Sequence, residues 1–188
     1  MNKNILIGVI VAVLAVGVTA FVLNMNNDNM AMQENAMMNE GVTVGGAVMT
    51  PDKDILDNAV NSADHTTFVA AIQAADLVNT LKQPGPFTVF APTDEAFDTL
   101  PEGTVEDLLL PENKEQLKGI LTNHVVPGAF STENLTDGMT LETLQGDTIT
   151  FTQKEGSWYI NDTTKIEVSD VVSSNGITHV IDTVLLPN

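Results

Sequence analysis

The sequence predicts an α+β fold: strands in a compact sandwich or wedge, several helices packed at one side, and one hydrophobic helix ahead of them at the N-terminus. Three observations carry this. Apolar residues recur at helical spacing between about residues 54 and 121, whereas after Gly128 they alternate with threonines at strand spacing. Ahead of both, Ile5 to Leu23 runs without a single charge.

That first segment, as a helix rising 1.5 Å per residue, spans roughly 28 Å, close to the hydrocarbon thickness of a bilayer. Lys3 precedes it and Asp28, Glu34 and Glu40 follow, so the basic flank stays inside and the rest faces out. Residues 1–23 therefore form an N-terminal membrane anchor or a signal peptide. The anchor is favoured because the run continues through Phe21, Val22 and Leu23, while Val18-Thr19-Ala20 offers a cleavage site near Ala20. Residues 24–50 are rich in asparagine and methionine and lack a clear period, so a disordered tether is expected there. Met25, Met30, Met32, Met37 and Met38 concentrate in it, and thioethers bind copper(I), but their spacing is irregular and no histidine accompanies them. A flexible spacer is the expected role.

The domain proper is expected over 51–188. Ile55, Leu56, Ala59 and Val60 share a helical face, as do Phe68, Ala71, Ile72 and Ala75, with Asp64 or Thr66 as the expected cap of the second helix. Pro84-Gly85-Pro86 ends that region and feeds a buried strand from Phe87. Pro92 has no N–H for a ladder, so pairing stops there, and Thr93 or Asp94 caps a helix opening at Glu95. A short helix follows Thr104, and another runs over Glu112 to Leu121. Beyond Gly128, Ile149 and Phe151 mark one strand, Trp158 and Ile160 a second, Ile166 and Val168 a third. Ile177 to Leu186 is apolar on both parities and reads as a strand covered on both faces.

Composition removes several classes of function. No cysteine is present, which excludes disulfides, thiol nucleophiles and thiolate ligation. Twenty-five acids face seven basic residues, all lysine, a net charge of −18. Such a surface repels phosphate backbones, and without arginine there is no bidentate fork for phosphate or guanine, so nucleic acid is not an expected partner. No phosphate loop or calcium loop is present, and the three histidines lack metal spacing; neither metal nor cofactor is expected.

Three segments carry a resemblance. Phe87-Thr-Val-Phe-Ala-Pro-Thr-Asp-Glu-Ala-Phe97, Leu121-Thr-Asn-His-Val-Val-Pro-Gly128 and Asn175-Gly-Ile-Thr-His-Val-Ile-Asp-Thr-Val-Leu-Leu-Pro187 follow one another with the order and spacing of the fasciclin-like domain. The chain resembles a single-domain, exported microbial member of that family over roughly its last 140 residues. The resemblance implies the same fold type and a structural role for Phe90, Pro92, Thr93, Asp94, Phe97, His124, Pro127, Gly128, Asn175, Gly176, His179 and Asp182. In animal members a tyrosine–histidine pair with flanking aliphatics is assigned to integrin contact; here Asn123 stands at the tyrosine position, so that role is not carried over.

Asn123, His124, Val125 and Val126 are nonetheless the candidate interaction segment. His124 itself is expected to sit at a helix-to-strand corner, bonded to an acceptor such as Thr93 or Asp94. His179 reads as a satisfied core or edge residue, and His65, between Asp64 and Thr66, as solvent-facing. Trp158 and Tyr159 point to opposite faces of one strand, and Tyr159 is the further candidate for contact with a sugar ring or a protein. A hydrolytic set of Ser131, His124 and Asp94 can be written down, but no Gly-x-Ser-x-Gly elbow supports it. The expectation is a non-enzymatic extracellular domain for adhesion or matrix association, its partner a protein or polysaccharide. Glycan or small-ligand binding at the cell surface is the alternative, and hydrolysis a distant third.

Overall fold

The computed structural model describes residues 41–187. The expected hydrophobic helix at 1–23 and most of the expected tether lie outside these residues. Among the described residues no helix is long and apolar enough to cross a membrane.

Folding begins earlier than the sequence suggests. β1 (Val42–Val44) and β2 (Ala47–Met49) form an antiparallel hairpin, so the tether does not extend to residue 50 and the folded unit does not start at 51. Its turn is Gly45-Gly46, both at positive φ (54° and 73°), a conformation glycine adopts without strain. Val44 and Met49 pack against Val171 and Val180, and that burial outweighs the polar composition of the preceding residues.

Six helices follow: α1 (Ile55–Ala59), α2 (Thr66–Ala74), α3 (Val78–Leu81), α4 (Asp94–Asp98), α5 (Thr104–Leu108) and α6 (Lys114–Asn123). Asp54 caps α1, its carboxylate accepting the Asp57 N–H at 2.7 Å. At the opening of α5 the N-cap is Gly103, with no side-chain bond. The remaining strands are β3 (Phe87–Pro92), β4 (Val125–Pro127), β5 (Thr140–Glu142), β6 (Thr148–Lys154), β7 (Ser157–Ile160), β8 (Thr164–Ser173) and β9 (Gly176–Ile181).

These seven make one sheet in the order β4-β3-β9-β8-β7-β6-β5, antiparallel except for the β3/β9 pair. The expected sandwich or wedge is thus corrected to a single curled sheet, a mixed α/β fold of near-barrel form. β8 supplies part of the curl: its pairing with β9 slips between Ile166 and Val168 and again between Val168 and Val171, and such bulges increase local twist. The two ends of the sheet then approach, the Leu144 N–H just beyond β5 donating to the Val125 carbonyl of β4 at 2.7 Å.

Strand alternation sorts the side chains into separate cores. Val89 and Ala91 of β3 and Val125 of β4 face the helices, packing with Phe68, Ile72, Leu117 and Leu121. Phe90, Val126, Ile149, Phe151, Ile160 and Ile181 fill the inside of the curl. The alternation expected for Ile149 and Phe151 is seen directly, at 1% and 0% exposure.

Candidate functional site

The corner at Thr93 and Asp94 divides its work between two helices. Thr93 caps α4, its hydroxyl accepting the Ala96 N–H at 3.2 Å. Asp94 reaches back across 27 residues of sequence and caps α2: its carboxylate accepts the Thr66 hydroxyl at 2.7 Å, the Thr66 N–H at 3.2 Å and the Thr67 N–H at 2.8 Å. The expected caps of α2, Asp64 and Thr66, do not serve; the N-cap position is His65 and makes no side-chain capping bond. Burial pushes the Asp94 carboxyl up, but the hydrogen bonds from Thr66 and Thr67 together hold it below its ordinary value.

His124 lies where α6 ends. The last turn tightens, with the His124 N–H donating to Leu121, and the ring Nδ1–H donates to the Ile120 carbonyl at 2.8 Å. Nε2 then accepts the Leu185 N–H at 2.9 Å, tying the helix end to the closing segment. Beside it, the Asn123 amide donates to the Leu185 carbonyl at 3.2 Å and its oxygen accepts the Thr143 hydroxyl at 3.1 Å. The partners expected for His124, Thr93 and Asp94, are therefore replaced by backbone groups. Burial depresses its pKa from 6.5 to about 4, against a small opposing effect of the Ile120 carbonyl.

This geometry corrects the candidate interaction segment. Asn123, His124, Val125 and Val126 are all buried, at 1–3% exposure, because Val125 joins the helical core and Val126 the core inside the curl. No partner reaches them without unfolding the corner. Nor does the structure bring Ser131, His124 and Asp94 together: the Ser131 hydroxyl bonds Asn134, Asp94 holds α2, and both His124 ring nitrogens are occupied.

His179 is fully buried on β9, stacked on Phe90 with ring centroids 5.6 Å apart. Its Nε2–H donates to the Phe130 carbonyl at 2.9 Å, and its Nδ1 accepts the Asp170 N–H at 3.2 Å. Asp170 in turn takes the Thr132 N–H at 2.8 Å and its hydroxyl, which pins the loop before β5 to the bulge of β8. Burial lowers the His179 pKa, opposed by Phe130 and Asp170. Asn175 accepts the Ile55 N–H and donates to the Leu81 and Gln83 carbonyls, while Asp182 accepts the Lys165 N–H. At Gly176 an added Cβ would lie 2.0 Å from the Phe87 carbonyl oxygen, so only glycine allows β9 to begin there.

His65 departs from expectation most. It is 3% exposed rather than solvent-facing, because the β1–β2 hairpin, unforeseen in the sequence, covers it. Its Nδ1 lies 2.8 Å from Ser62 Oγ, while Nε2 has no hydrogen-bond partner among the described residues. Burial lowers its pKa, opposed by Asp64 and Asp94 and by the nearby Ala91 carbonyl.

Tyr159 alone of the candidate contact residues reaches the surface. It stands half-buried on β7 opposite Thr152 and Lys165, with Lys154 Nζ 5.4 Å from its ring centroid. Trp158, on the other face of the strand, packs against the core inside the curl. Two of the six lysines after Gly41 thus flank the one tyrosine, on a domain with 22 acids in the same stretch. The lysine flank was missed in the sequence, since it arises from pairing across three strands.

The Fasciclin domain model matches residues 63–187. Protein sll1483 of Synechocystis is 45% identical over 169 residues, covering 90% of this chain and 92% of that protein. The immunogenic protein MPB70 of Mycobacterium bovis is 37% identical over 134 residues, covering 69% of this chain and 66% of that protein. Human periostin is 34% identical over 125 residues, 66% of this chain but only 15% of periostin. Among solved structures, a FAS1 domain pair from the insect cell adhesion molecule fasciclin I superposes with a TM-score of 0.66 at 20% identity, over 73% of this chain and 52% of that one.

Proposed function

The chain belongs to the fasciclin domain family, and on that premise we propose that it is a non-catalytic interaction module acting outside the cell, in surface adhesion or matrix association. The observation that carries this reading is how the polar side chains of the signature segments are spent. His124, His179, Asn123, Asn175, Asp94 and Asp182 each bond backbone groups that hold elements together, so their polar atoms serve the scaffold. What remains for function is the outer surface. Export follows from the apolar run Ile5 to Leu23 with Lys3 ahead of it, as a retained anchor or as a signal cut near Ala20.

The contact surface we assign is the outer face of β6, β7 and β8 around Tyr159. An aromatic ring flanked by Lys165 and by Lys154, the latter shared with Asp162 at 2.9 Å, suits an extracellular protein or an acidic polysaccharide, and the surrounding negative charge disfavours nucleic acid. A patch of this size binds weakly alone, and many anchored copies on one surface supply avidity. Cells displaying the chain should attach to matrix or aggregate more than cells displaying a Tyr159→Ala, Lys154→Ala double variant. Equal attachment by cells lacking the chain altogether would remove the adhesion reading.

Glycan binding is the second reading, favoured by the same Tyr159–Lys154 pair. Trp158 lies next in the chain to Tyr159, so its fluorescence should respond to a bound uronic-acid polysaccharide and not to a neutral one. A flat response to both would count against it.

A further inference from the structure

Asn175, in the turn between β8 and β9, serves two helix ends with one side chain. Its oxygen accepts the Ile55 N–H at 3.0 Å, where α1 begins. Its amide donates to the Leu81 carbonyl at 2.7 Å and the Gln83 carbonyl at 3.2 Å, where α3 ends. Both amide protons and the oxygen are thereby used. The backbone is held as firmly. The Asn175 carbonyl accepts the Phe87 N–H at 3.1 Å, and Gly176 lies so close to Phe87 that a Cβ would stand 2.0 Å from its carbonyl oxygen. Asn175-Gly176 is also the one Asn-Gly pair in the sequence. A following glycine leaves the peptide nitrogen unshielded and its backbone free to turn, which favours loss of the asparagine amide as ammonia.

We infer that Asn175-Gly176 is a deamidation site that the native fold keeps inert and that unfolding releases, so that loss of structure becomes permanent. In the open chain the Gly176 nitrogen attacks Asn175 Cγ. The N–Cγ bond forms, the Cγ–Nδ2 bond breaks, and Nδ2 leaves as ammonia with the proton of the Gly176 N–H. Water then opens the cyclic imide at either carbonyl, leaving aspartate or isoaspartate. In the folded chain both rotations that bring the nitrogen onto the carbon are opposed. Turning the side chain breaks its bonds to Ile55, Leu81 and Gln83. Turning the Asn175-Gly176 peptide breaks the bond from the Phe87 N–H and moves Gly176 from its close seat on Phe87. The product does not fit back. An aspartate oxygen in place of Nδ2 sets an acceptor against the Leu81 and Gln83 carbonyls, which lose their donor. Isoaspartate adds a methylene to the main chain beside Gly176, where even a Cβ finds no room. Chemical change of the unfolded chain ahead of its refolding is a general route to irreversible unfolding. This inference is independent of the adhesion reading.

The full chain held in mildly alkaline buffer, with and without denaturing urea, tests it by peptide mass mapping. Deamidation at Asn175 should run about tenfold faster or more in urea, because the folded protein reacts only through its opened fraction. After the urea is diluted, folded and unfolded pools are separated by size-exclusion chromatography and each is mapped. Chains deamidated at Asn175 should be confined to the unfolded pool, and the folded pool should consist of chains that keep the amide. Asn175→Asp, which carries the hydrolysis product from the start, should refold to a lower urea midpoint or not at all. Equal deamidation rates in the two buffers overturn the proposal. So do deamidated chains recovered in the folded pool, or a parental urea midpoint for Asn175→Asp.

Discussion

His124 and His65 are buried to nearly the same depth, at 1% and 3% exposure, yet they are held in opposite ways. At His124 both ring nitrogens bond backbone groups, and the ring joins the end of α6 to the closing segment. At His65 one nitrogen bonds Ser62, while the other makes no well-formed hydrogen bond among the described residues, the Ala91 carbonyl lying near the ring. The first region is closed by its own atoms. The second is buried but only partly satisfied. Burial alone therefore says little about what a histidine is for; the count of satisfied nitrogens says more, because an orphaned one raises the energy of the folded state until something supplies its partner.

The sharpest way to break this comparison is the same substitution at both positions, beginning with the larger effect. His124→Phe keeps the ring but strands the Ile120 carbonyl and the Leu185 N–H in the core. With about 1–3 kcal/mol for each buried group left unsatisfied, urea unfolding should show a loss of about 3–5 kcal/mol. A loss below about 1 kcal/mol, with attachment abolished, would show instead that His124 works in contact with a partner.

Much of the His124 region was legible in the sequence, and much of the His65 region was not, for one physical reason. Pro92 ending a strand, Thr93 capping the next helix and the Ile149/Phe151 alternation are local rules, written in adjacent residues. The parallel pairing of β3 with β9, the Asp94 cap on α2 and the bond from the Leu185 N–H to His124 join residues 27 to 89 positions apart, which no local pattern encodes. The hairpin is a different failure. Val-Thr-Val-Gly-Gly-Ala-Val-Met does carry a two-residue turn signal between alternating strands, but the asparagine-rich stretch before it masked that signal. Missing the hairpin left His65 without its cover, so it read as exposed. Tyr159 was legible as a surface aromatic, whereas Lys154 and Lys165 beside it were not, since register across β6, β7 and β8 sets that proximity.

Acid sharpens the comparison next. The folded His124 titrates at about 4 against 6.5 when free, so the unfolded chain binds the proton first. Its contribution is fully present above pH 6.5 and is lost as pH falls from 6.5 through about 4, a loss on the order of 3 kcal/mol. His179 and His65 are shifted in the same direction by burial and add to the decline below pH 6.5. Carboxylate protonation, which relieves the repulsion of a −18 chain, begins only near the bottom of it. Urea midpoints should therefore fall between pH 7 and pH 4.5, and His124→Phe should flatten the profile by the largest share. A variant profile as steep as the parent's would mean that His124 is already protonated in the fold.

The smallest effect belongs to His65→Phe, and its smallness is the informative part. The substitution removes the Ser62 bond, a loss of about 1 kcal/mol, and also removes an unsatisfied buried nitrogen, a gain of about 1–3 kcal/mol. The larger ring enters a cavity of about 20 Å³ that has room for little more than a water molecule, so packing strain takes back part of the gain. The balance should fall within about 1 kcal/mol of zero, several-fold less than at His124. The sign of the difference decides between the two ways of holding a buried histidine. A loss as large as that of His124→Phe would mean that Nε2 has a partner in solution, and that the cavity beneath the hairpin is occupied whenever the protein is folded.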